Sequence, residues 1–340
     1  MNFIPLLLVW YDANKRDFPW RRTSDPYAIW LSEVMLQQTR TTAAIPYYER
    51  FLAALPRVQD LARVSDDVLL RLWQGLGYYS RAQNLKRAAI QIETEHSGIF
   101  PSTYDQLLSL RGVGPYTAGA VASIAFHECV PAVDGNVLRV MLRLENCFDD
   151  ILNPTVRTRI TRTLAASMPE RAGSFNQAMM DLGATICLPN GAPRCDLCPI
   201  SMYCKAHTAG TARELPKRTK KQPRQKEFYT VFVLLHEGSF VVQKRRNSGL
   251  LASLYQLPNE AGQLTQHEIA AWLMRFGTRP ISEMTMYTRT HVFTHIEWQM
   301  QVICCRVSHF SPAVGLWYDG TQSLPTAFAK CLPEVCNVFS

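Results

Sequence analysis

The hydrophobic pattern of this chain changes its period once, and the change lies at a strongly basic segment. Before residue 208 apolar residues recur at helical spacing, whereas from Phe228 onwards they alternate as they do in β-strands. The segment between them carries six basic and no acidic residues over 217–226, a composition that does not form a core. We therefore predict a helical domain over 1–208, a linker over 209–226 and an α+β domain over 227–340.

Within these domains the pattern predicts individual elements. The predicted helices of the first domain are 27–40, 67–74, 81–94, 103–110, 116–127 and 136–144. The second domain should contain a hairpin formed by 228–235 and 240–244, a helix at 265–276 and strands within 284–307. The linker could contact phosphates or be a plain solvated tether, and its composition suits both.

Composition restricts the class of protein. A formal charge of +8 suits a polyanionic partner, although many basic proteins are merely soluble. The apolar run at 3–10 is interrupted by Asp12 and lacks a basic leader, so we expect a core helix rather than a signal peptide. No stretch reaches transmembrane length. We expect a cytoplasmic monomer whose ten cysteines are reduced thiols and metal ligands.

Four cysteines lie close together in the sequence. Cys187, Cys195, Cys198 and Cys204 are separated by seven, two and five residues. This spacing differs from the paired short knuckles of most zinc ribbons and favours an iron-sulfur cluster, with a structural zinc site as the alternative. Either metal would have a mainly structural role. Arg194 and Lys205 flank the ligands and could present positive charge to a phosphate.

A glycine-rich turn lies upstream of the cysteines, at 110–115. Gly112 and Gly114 would permit a tight turn with exposed amides, and Pro115 suits the first turn of the following helix. Small residues such as Gly119 would let that helix pack closely. Amides at a helix N-terminus bind phosphate without reading sequence. An ordinary turn between two helices would have the same pattern.

Two carboxylates are candidates for acid and base chemistry. Glu33 lies in a predicted helix that is apolar nearly all round, so burial should raise its pKa into the range of a general acid. A buried ion pair is the alternative. Asp134 precedes a helical run, and an Asp there is most often an N-cap. It becomes a catalytic candidate because it follows Gly114 by only 20 residues, so that one intervening helix could return the chain beside the glycine-rich turn.

The chain resembles the adenine DNA glycosylases of the MutY type, within the helix-hairpin-helix glycosylase superfamily. The motifs that carry the resemblance are Asp17-Phe-Pro-Trp-Arg21, Trp30-Leu-Ser-Glu-Val-Met-Leu-Gln-Gln-Thr39, Gln74-Gly-Leu-Gly-Tyr-Tyr-Ser-Arg81, Gly112-Val-Gly-Pro-Tyr-Thr-Ala118, Val133-Asp-Gly-Asn-Val137, the four cysteines, and His291-Val-Phe-Thr-His295. The resemblance implies an all-α glycosylase domain with a 4Fe-4S cluster loop, followed by an α+β Nudix-like domain.

The resemblance also implies a substrate and a mechanism. The substrate would be adenine mispaired with 8-oxoguanine or guanine in duplex DNA, which leaves the base stack before its glycosidic bond is hydrolysed. Glu33 matches the acid and Asp134 the carboxylate that stabilises the oxocarbenium-like sugar. Tyr116 and Asn136 match residues on the sugar side. Further matches are Arg21, Leu36 and Gln177 in the adenine pocket, and Gln38, Leu76 and Tyr78 at the wedge and probe positions.

Several details refine the implied function. Related glycosylases that also cut the strand usually have a Lys where this chain has Tyr116, so we predict a monofunctional enzyme. Between 249 and 273 the only acidic residues are Glu260 and Glu268, too few for the acidic box of a Nudix hydrolase. The second domain would then read the oxidised guanine through Phe293, Thr294 and His295, or these could be ordinary strand residues.

The chain departs from the family at two places. The first cysteine gap has seven residues instead of six, and Thr294 stands where a Ser is usual. Three other functions compete with the one implied. They are an iron-sulfur glycosylase and lyase acting on oxidised pyrimidines, a non-catalytic lesion-binding protein, and a Nudix hydrolase with a helical appendage.

Overall fold

The N-terminal residues form short helices joined by tight turns. The protein is described by a computed structural model that covers residues 1–189, 191–219, 223–311 and 315–333. Its helices are α1 (Ile4–Asn14), α2 (Pro26–Leu36), α3 (Thr41–Ala54), α4 (Val58–Arg63), α5 (Asp66–Leu72), α6 (Ser80–Glu95), α7 (Tyr104–Ser109), α8 (Pro115–Ala125), α9 (Gly135–Glu145), α10 (Pro154–Ala165), α11 (Ala172–Thr185) and α12 (Lys205–Thr208). Short 3-10 turns lie at Pro19–Arg21, Cys195–Leu197 and Ser201–Tyr203. The predicted helices of this half are therefore confirmed, with one error at the end of α2.

The C-terminal residues form a twisted sheet between helices. Its elements are β1 (Gln225–His236), β2 (Ser239–Lys244), β3 (Tyr255–Gln256), β4 (Asn259–Ala261), α13 (Gln266–Arg275), β5 (Thr285–Val292), β6 (Ile296–Arg306), β7 (Leu316–Trp317) and α14 (Thr326–Ala329). The strand order is β3-β2-β1-β6-β5, and β4 and β7 pair with β1 and β2. Strands β1 and β6 are parallel, while β1 with β2 and β5 with β6 are antiparallel. The predicted hairpin, helix and long strands are confirmed.

Residues 230–234 of β1 are all buried because both faces of the sheet are covered. Val231 and Val233 face a cluster that includes Phe328 of α14, whereas Phe232 faces Trp272 of α13, with ring centroids 3.6 Å apart. Stacked aromatic rings and β-branched residues suit a sheet that is covered on both sides.

The described chain divides into two units. The helical unit contains residues 1–64, 83–189 and 191–219, and the sheet unit contains 65–82, 223–311 and 315–333. Part of the predicted linker belongs to the helical unit, because Arg143 donates to the carbonyl of Leu215 and Thr219 donates to Asp150. Residues 220–222 of the linker lie outside the described residues. The domain boundaries at 208 and 226 stay a prediction.

The nine cysteines in the described ranges form no disulfides. Across the same ranges, every helix is too short or too polar to cross a bilayer.

Close packing in the helical unit requires a glycine in α8. A Cβ atom at Gly119 would lie 2.4 Å from the carbonyl oxygen of Pro131, whereas one at Gly135, the first residue of α9, would meet nothing within 4 Å. The small residue expected from the sequence is thus needed where a backbone carbonyl contacts the helix.

We predict that Gly119→Ala lowers the free energy of unfolding by about 1–3 kcal/mol, because the backbone must shift to make room for the methyl group. The same change at Gly135 should be neutral or slightly stabilising, since Ala is the better helix former. Urea denaturation of the two variants checks this. Equal stabilities would contradict the close contact at Gly119.

Candidate active site

Helix α2 carries Glu33 into the interior of the helical unit. The helix begins at the Asp25 N-cap, whose side chain accepts from the amide of Tyr27, and Pro26 occupies its first position. Every residue from Tyr27 to Met35 is buried, and Glu33 itself is only 7% exposed. A helix that is apolar on all sides is surrounded by protein, so its one carboxyl group is buried with it.

The predicted end of this helix at residue 40 is wrong. Helix α2 ends at Leu36, and Gln38 has a left-handed backbone with φ of 60°. A non-glycine residue rarely adopts this conformation, and it breaks the helical pattern. The turn leaves Leu36 part-buried and Gln38 exposed, and both side chains line the same cavity as Glu33.

The glycine turn places Tyr116 against Glu33. Gly112 has φ of +73° and packs on Asn84, so it needs to be glycine. Gly114 has an extended backbone as the N-cap of α8, and a Cβ there would meet nothing within 4 Å, so the turn itself requires glycine only at Gly112. Tyr116, the second residue of α8, donates a 2.6 Å hydrogen bond from Oη to Oε2 of Glu33.

Asp134 is both a helix cap and a cavity residue. Its Oδ1 accepts from the amide of Val137 at 2.8 Å, and its Oδ2 accepts from Nδ2 of Asn136 at 2.7 Å. The carboxylate is therefore held at both oxygens at the N-terminus of α9. Burial raises its pKa, while the hydrogen bonds from Val137 and Asn136 oppose that increase.

Burial also sets the protonation of Glu33. It raises the pKa of this carboxyl from 4.5 to about 7, against the lowering effect of the Tyr116 hydrogen bond. The charge of Asp134 raises the pKa further, and that of Arg21 lowers it. The carboxyl is therefore close to half protonated at neutral pH, as expected for a general acid.

One cavity of about 540 Å³ in the helical unit is lined by eight of the predicted site residues, including all four catalytic candidates. This volume is typical of small-molecule and base pockets. The predicted residues in its wall are Arg21, Glu33, Leu36, Gln38, Tyr116, Asp134, Asn136 and Gln177. Sequence reasoning missed Arg16, Phe18 and Trp20, which also line it. Phe18 and Trp20 belong to the motif at 17–21, and this motif could have indicated them. Their two buried rings stack with centroids 5.1 Å apart.

Two arginines in this wall share one buried partner. Arg21 donates to both oxygens of Asp181, at 2.7 and 3.0 Å, and Arg16 donates to Oδ1 of the same group. Asp181 belongs to α11 and has a side chain only 1% exposed. Nothing in the local sequence around Asp181 indicated this role, because its partners lie about 160 residues away.

The four predicted metal ligands face one small cavity of about 30 Å³. Burial raises the pKa of Cys198 to about 12, and Cys187, Cys195 and Cys204 add to the increase, so the four sulfurs interact. Arg143 donates to Sγ of Cys187 at 3.1 Å. Within the described ranges no three His, Cys, Asp or Glu side chains are grouped to hold a single metal ion.

A chain of hydrogen bonds joins the two cavities. Asp134 accepts from Asn136, whose Oδ1 accepts from Arg139 at 2.8 Å. Arg139 donates in turn to the carbonyl oxygens of Gly183 and Cys187. The cysteine loop and the carboxylate are thus fixed by the same buried guanidinium.

The remaining predicted residues belong to the sheet unit. Leu76 is buried, whereas Tyr78 is 45% exposed with φ of +49°. Arg81 donates to the carbonyls of Leu76 and Gly77 and so supports this turn. The hydroxyl of Tyr78 lies 3.1 Å from Oγ1 of Thr294. Two residues that are predicted to contact DNA are therefore neighbours in this unit.

The predicted reading loop is the turn between β5 and β6. Thr294 and His295 are exposed there, while the ring of Phe293 packs on Trp298 with centroids 4.8 Å apart. Phe293 therefore has a packing role in addition to its predicted contact. The two acidic residues between 249 and 273 have structural roles. Glu260 pairs with Arg275, and Glu268 caps α13 together with Thr265.

Comparison with known proteins identifies the family. Residues 31–164 match the HhH-GPD superfamily of base excision DNA repair proteins, and residues 230–334 match the NUDIX domain. The adenine DNA glycosylase of Rattus norvegicus is 34% identical over 98% of this chain and 77% of its own length. That of Buchnera aphidicola subsp. Baizongia pistaciae is 30% identical over 98% of this chain and 96% of its own length. The chain belongs to the adenine DNA glycosylase family.

A solved structure agrees with this membership. A thermostable thymine-DNA glycosylase superposes with a TM-score of 0.55 and 27% identity over 61% of this chain and 95% of its own. The chain is thus an adenine DNA glycosylase of base excision repair, with a helical glycosylase domain and a Nudix-like domain. The fold and the enzyme class expected from the sequence are confirmed.

The raised pKa of Glu33 makes a prediction about the stability of this glycosylase. Ionised Glu33 is disfavoured in the folded state, so the protein should lose stability as pH rises from 4.5 to about 7. Replacing the carboxyl by an amide in Glu33→Gln removes that loss and keeps an acceptor for Tyr116. At pH 8 the variant should be more stable than wild type by up to about 3 kcal/mol, and at pH 4.5 equally stable.

Denaturant titrations at the two pH values measure this difference. Glu49→Gln, the same change on an exposed position of α3, should have no pH-dependent effect. A Glu33→Gln variant that is destabilised at pH 8 would show that the ionised carboxylate is well solvated or paired.

Proposed function

We propose that this enzyme removes adenine mispaired with 8-oxoguanine or guanine in duplex DNA, with Glu33 as general acid and Asp134 stabilising the sugar cation. The observation that carries this proposal is a buried carboxyl with a pKa of about 7, bound by Tyr116 in the cavity that Asp134 also lines. The target base must leave the duplex to reach such a cavity.

Departure of adenine requires a proton. Loss of a purine with its bonding electrons leaves negative charge on the ring, and a proton from Glu33 neutralises it. The carboxylate formed then accepts the 2.6 Å hydrogen bond from Tyr116, which stabilises the charge it has gained. Arg16 and Arg21 in the cavity wall favour the same developing negative charge.

The sugar becomes cationic as the base leaves. Asp134 is held on both oxygens by Val137 and Asn136, and these hydrogen bonds favour its ionised form. A fixed carboxylate stabilises an oxocarbenium-like centre, as in glycoside hydrolysis with two carboxylates. Water then completes the hydrolysis.

The lack of an amine favours base removal without strand cleavage. The described residues that line the cavity include no lysine, and Tyr116 stands at the position where lyases of related type have one. A Schiff base to the sugar needs such an amine. The products would be free adenine and an intact strand with an abasic site.

Recognition of the opposite base is assigned to the β5–β6 turn. Thr294 offers a hydroxyl and His295 a ring at an exposed turn, and Tyr78 lies within hydrogen-bond distance of Thr294. Hydroxyl and imidazole groups can read the edge of an oxidised guanine, and an exposed tyrosine can stack in a disrupted duplex. Gln38 and Leu76 would act with Tyr78 at the gap.

Cys187, Cys195, Cys198 and Cys204 would hold a 4Fe-4S cluster. Their sulfurs face one cavity, and the Arg143 guanidinium at Cys187 suits the negative charge of bound thiolates. Bound to these thiolates, the cluster would supply a rigid crosslink for the loop that Arg194 and Lys205 flank, with structural zinc as the alternative.

We predict that the purified enzyme releases adenine from a duplex with 8-oxoguanine opposite it, and much more slowly when thymine is opposite. Release should fall as pH rises through about 7, because the acid must be protonated. Glu33→Gln should lose at least 100-fold in single-turnover rate while binding the duplex normally.

Glu49→Gln provides the matched control, an exposed helical Glu given the same change. Chromatography of free adenine measures release, and fluorescence anisotropy measures binding. Normal release by Glu33→Gln would refute the acid assignment.

We also predict about four iron atoms per chain with a visible absorption band, as expected of a thiolate-bound 4Fe-4S cluster. Cys198→Ser should lose iron and the band, whereas Cys129→Ser, at an exposed cysteine, should keep both. A colourless protein containing one zinc ion would overturn the cluster assignment.

A further inference from the structure

Asp181 is a buried acid without an assigned role. Its side chain is 1% exposed, and both of its oxygens accept from the guanidinium groups of Arg16 and Arg21. Two arginines around one carboxylate leave a net positive charge beside the cavity. Burying such a group has a large desolvation penalty, so an apolar packing residue could stabilise α11 equally well.

Arg21 is the member of this group that acts on Glu33. It lines the cavity, has a side chain only 13% exposed, and its charge lowers the pKa of Glu33. Both Nη atoms of Arg21 are bound to Asp181, and Nη1 also donates to the carbonyl of Arg16. The guanidinium of Arg21 is therefore bound to α11 through Asp181.

If Arg21 lost its bonds to Asp181, Glu33 would be available as another acidic partner in the same cavity. Bidentate pairing with a carboxylate is the preferred state of a poorly hydrated guanidinium. Glu33 is the cavity carboxyl that already experiences the Arg21 charge, and an ion pair between them would hold Glu33 ionised. An ionised Glu33 cannot protonate a leaving base.

We propose that Asp181 is a positioning residue that holds Arg21 as its counter-ion and so keeps Glu33 available as a proton donor. The inference rests on the proposed role of Glu33 as the general acid. Asp181 acts only through Arg21 and touches neither the cavity acid nor, by this assignment, the substrate. The cavity can then contain a cation that favours the departing base without losing its acid.

Apart from Arg16, which lines the cavity and also binds Asp181, the other charged and titratable groups that face Glu33 would be unchanged by loss of Asp181. Tyr116 donates to it from α8, and Asp134 raises its pKa from the start of α9. Arg21, in the turn before α2, is the cation among the groups that shift its pKa. Because Arg16 also loses its partner in Asp181→Asn, a double variant that also lacks Arg16 isolates the effect of Arg21.

The test is adenine release by Asp181→Asn under single-turnover conditions across pH 5–9. The falling limb of the pH profile should move to lower pH by about one unit or more. An opposite charge within about 4–6 Å lowers a carboxyl pKa by about 1–3 units. Release at pH 8 should then fall about tenfold or more relative to wild type, while release at pH 5 changes little. Binding of the duplex, followed by anisotropy, should be retained.

Asp12→Asn is the matched control. Asp12 binds both Nη atoms of Arg171 in an exposed ion pair, and Asp12 does not line the cavity. Its profile should equal that of wild type. If Asp181→Asn loses stability but keeps the wild-type limb, Asp181 has only a structural role and the proposal is wrong.

A second variant covers the case in which Asp181→Asn does not fold. Combining it with Arg16→Gln restores the original net charge of the group, although Arg21 still lacks its counter-ion. The falling limb of the pH profile should move to lower pH in this double variant too. An unmoved limb would overturn the proposal. Normal release by Glu33→Gln would instead refute the proposed function, so the two failures are distinguishable.

Discussion

In the proposed mechanism, the chemistry of this glycosylase depends on the burial of one carboxyl group. Helix α2 is surrounded by protein on all sides, so Glu33 exchanges water for apolar contacts and one hydroxyl, and its pKa rises to about 7. The same desolvation that prepares the acid reduces the stability of the folded state near neutral pH. A buried acid is retained at a functional site although a neutral side chain would be more stable there.

The burial of Glu33 can be predicted from the sequence because it is determined by residues adjacent to it in the chain. An apolar run with a single Glu, preceded by Asp25 and Pro26, specifies a buried helix whose only charge is at Glu33. The end of the helix was not predictable in the same way. Gln37 and Gln38 are good helix formers, yet the helix ends because Gln37 has a non-helical ψ of 112° and Gln38 has a left-handed backbone. Propensity contains no information about that conformation.

Long-range ion pairs account for most of what the sequence could not reveal. The position of Asp181 in α11 gives no sign that it binds Arg16 and Arg21, since pairing across about 160 residues is decided by helix packing. Both Gly112 and Gly114 permit a tight turn, but only Gly112 has a positive φ that favours glycine, and a Cβ at Gly114 would meet nothing within 4 Å. Residue type alone does not distinguish these two glycines.

In the proposed mechanism Asp134 is a catalytic group as well as a helix cap, and its geometry makes the two roles compatible. A cap must accept from an amide of the first turn, and that bond fixes the carboxylate relative to the helix axis. Asn136 holds the second oxygen and is itself held by Arg139, which reaches the carbonyl of Cys187. The carboxylate is thus oriented before any substrate arrives, and no reorganisation is needed when the sugar becomes cationic. The cap and the catalytic interpretations of Asp134 are therefore compatible, because the bonds that stabilise α9 are those that fix the charge.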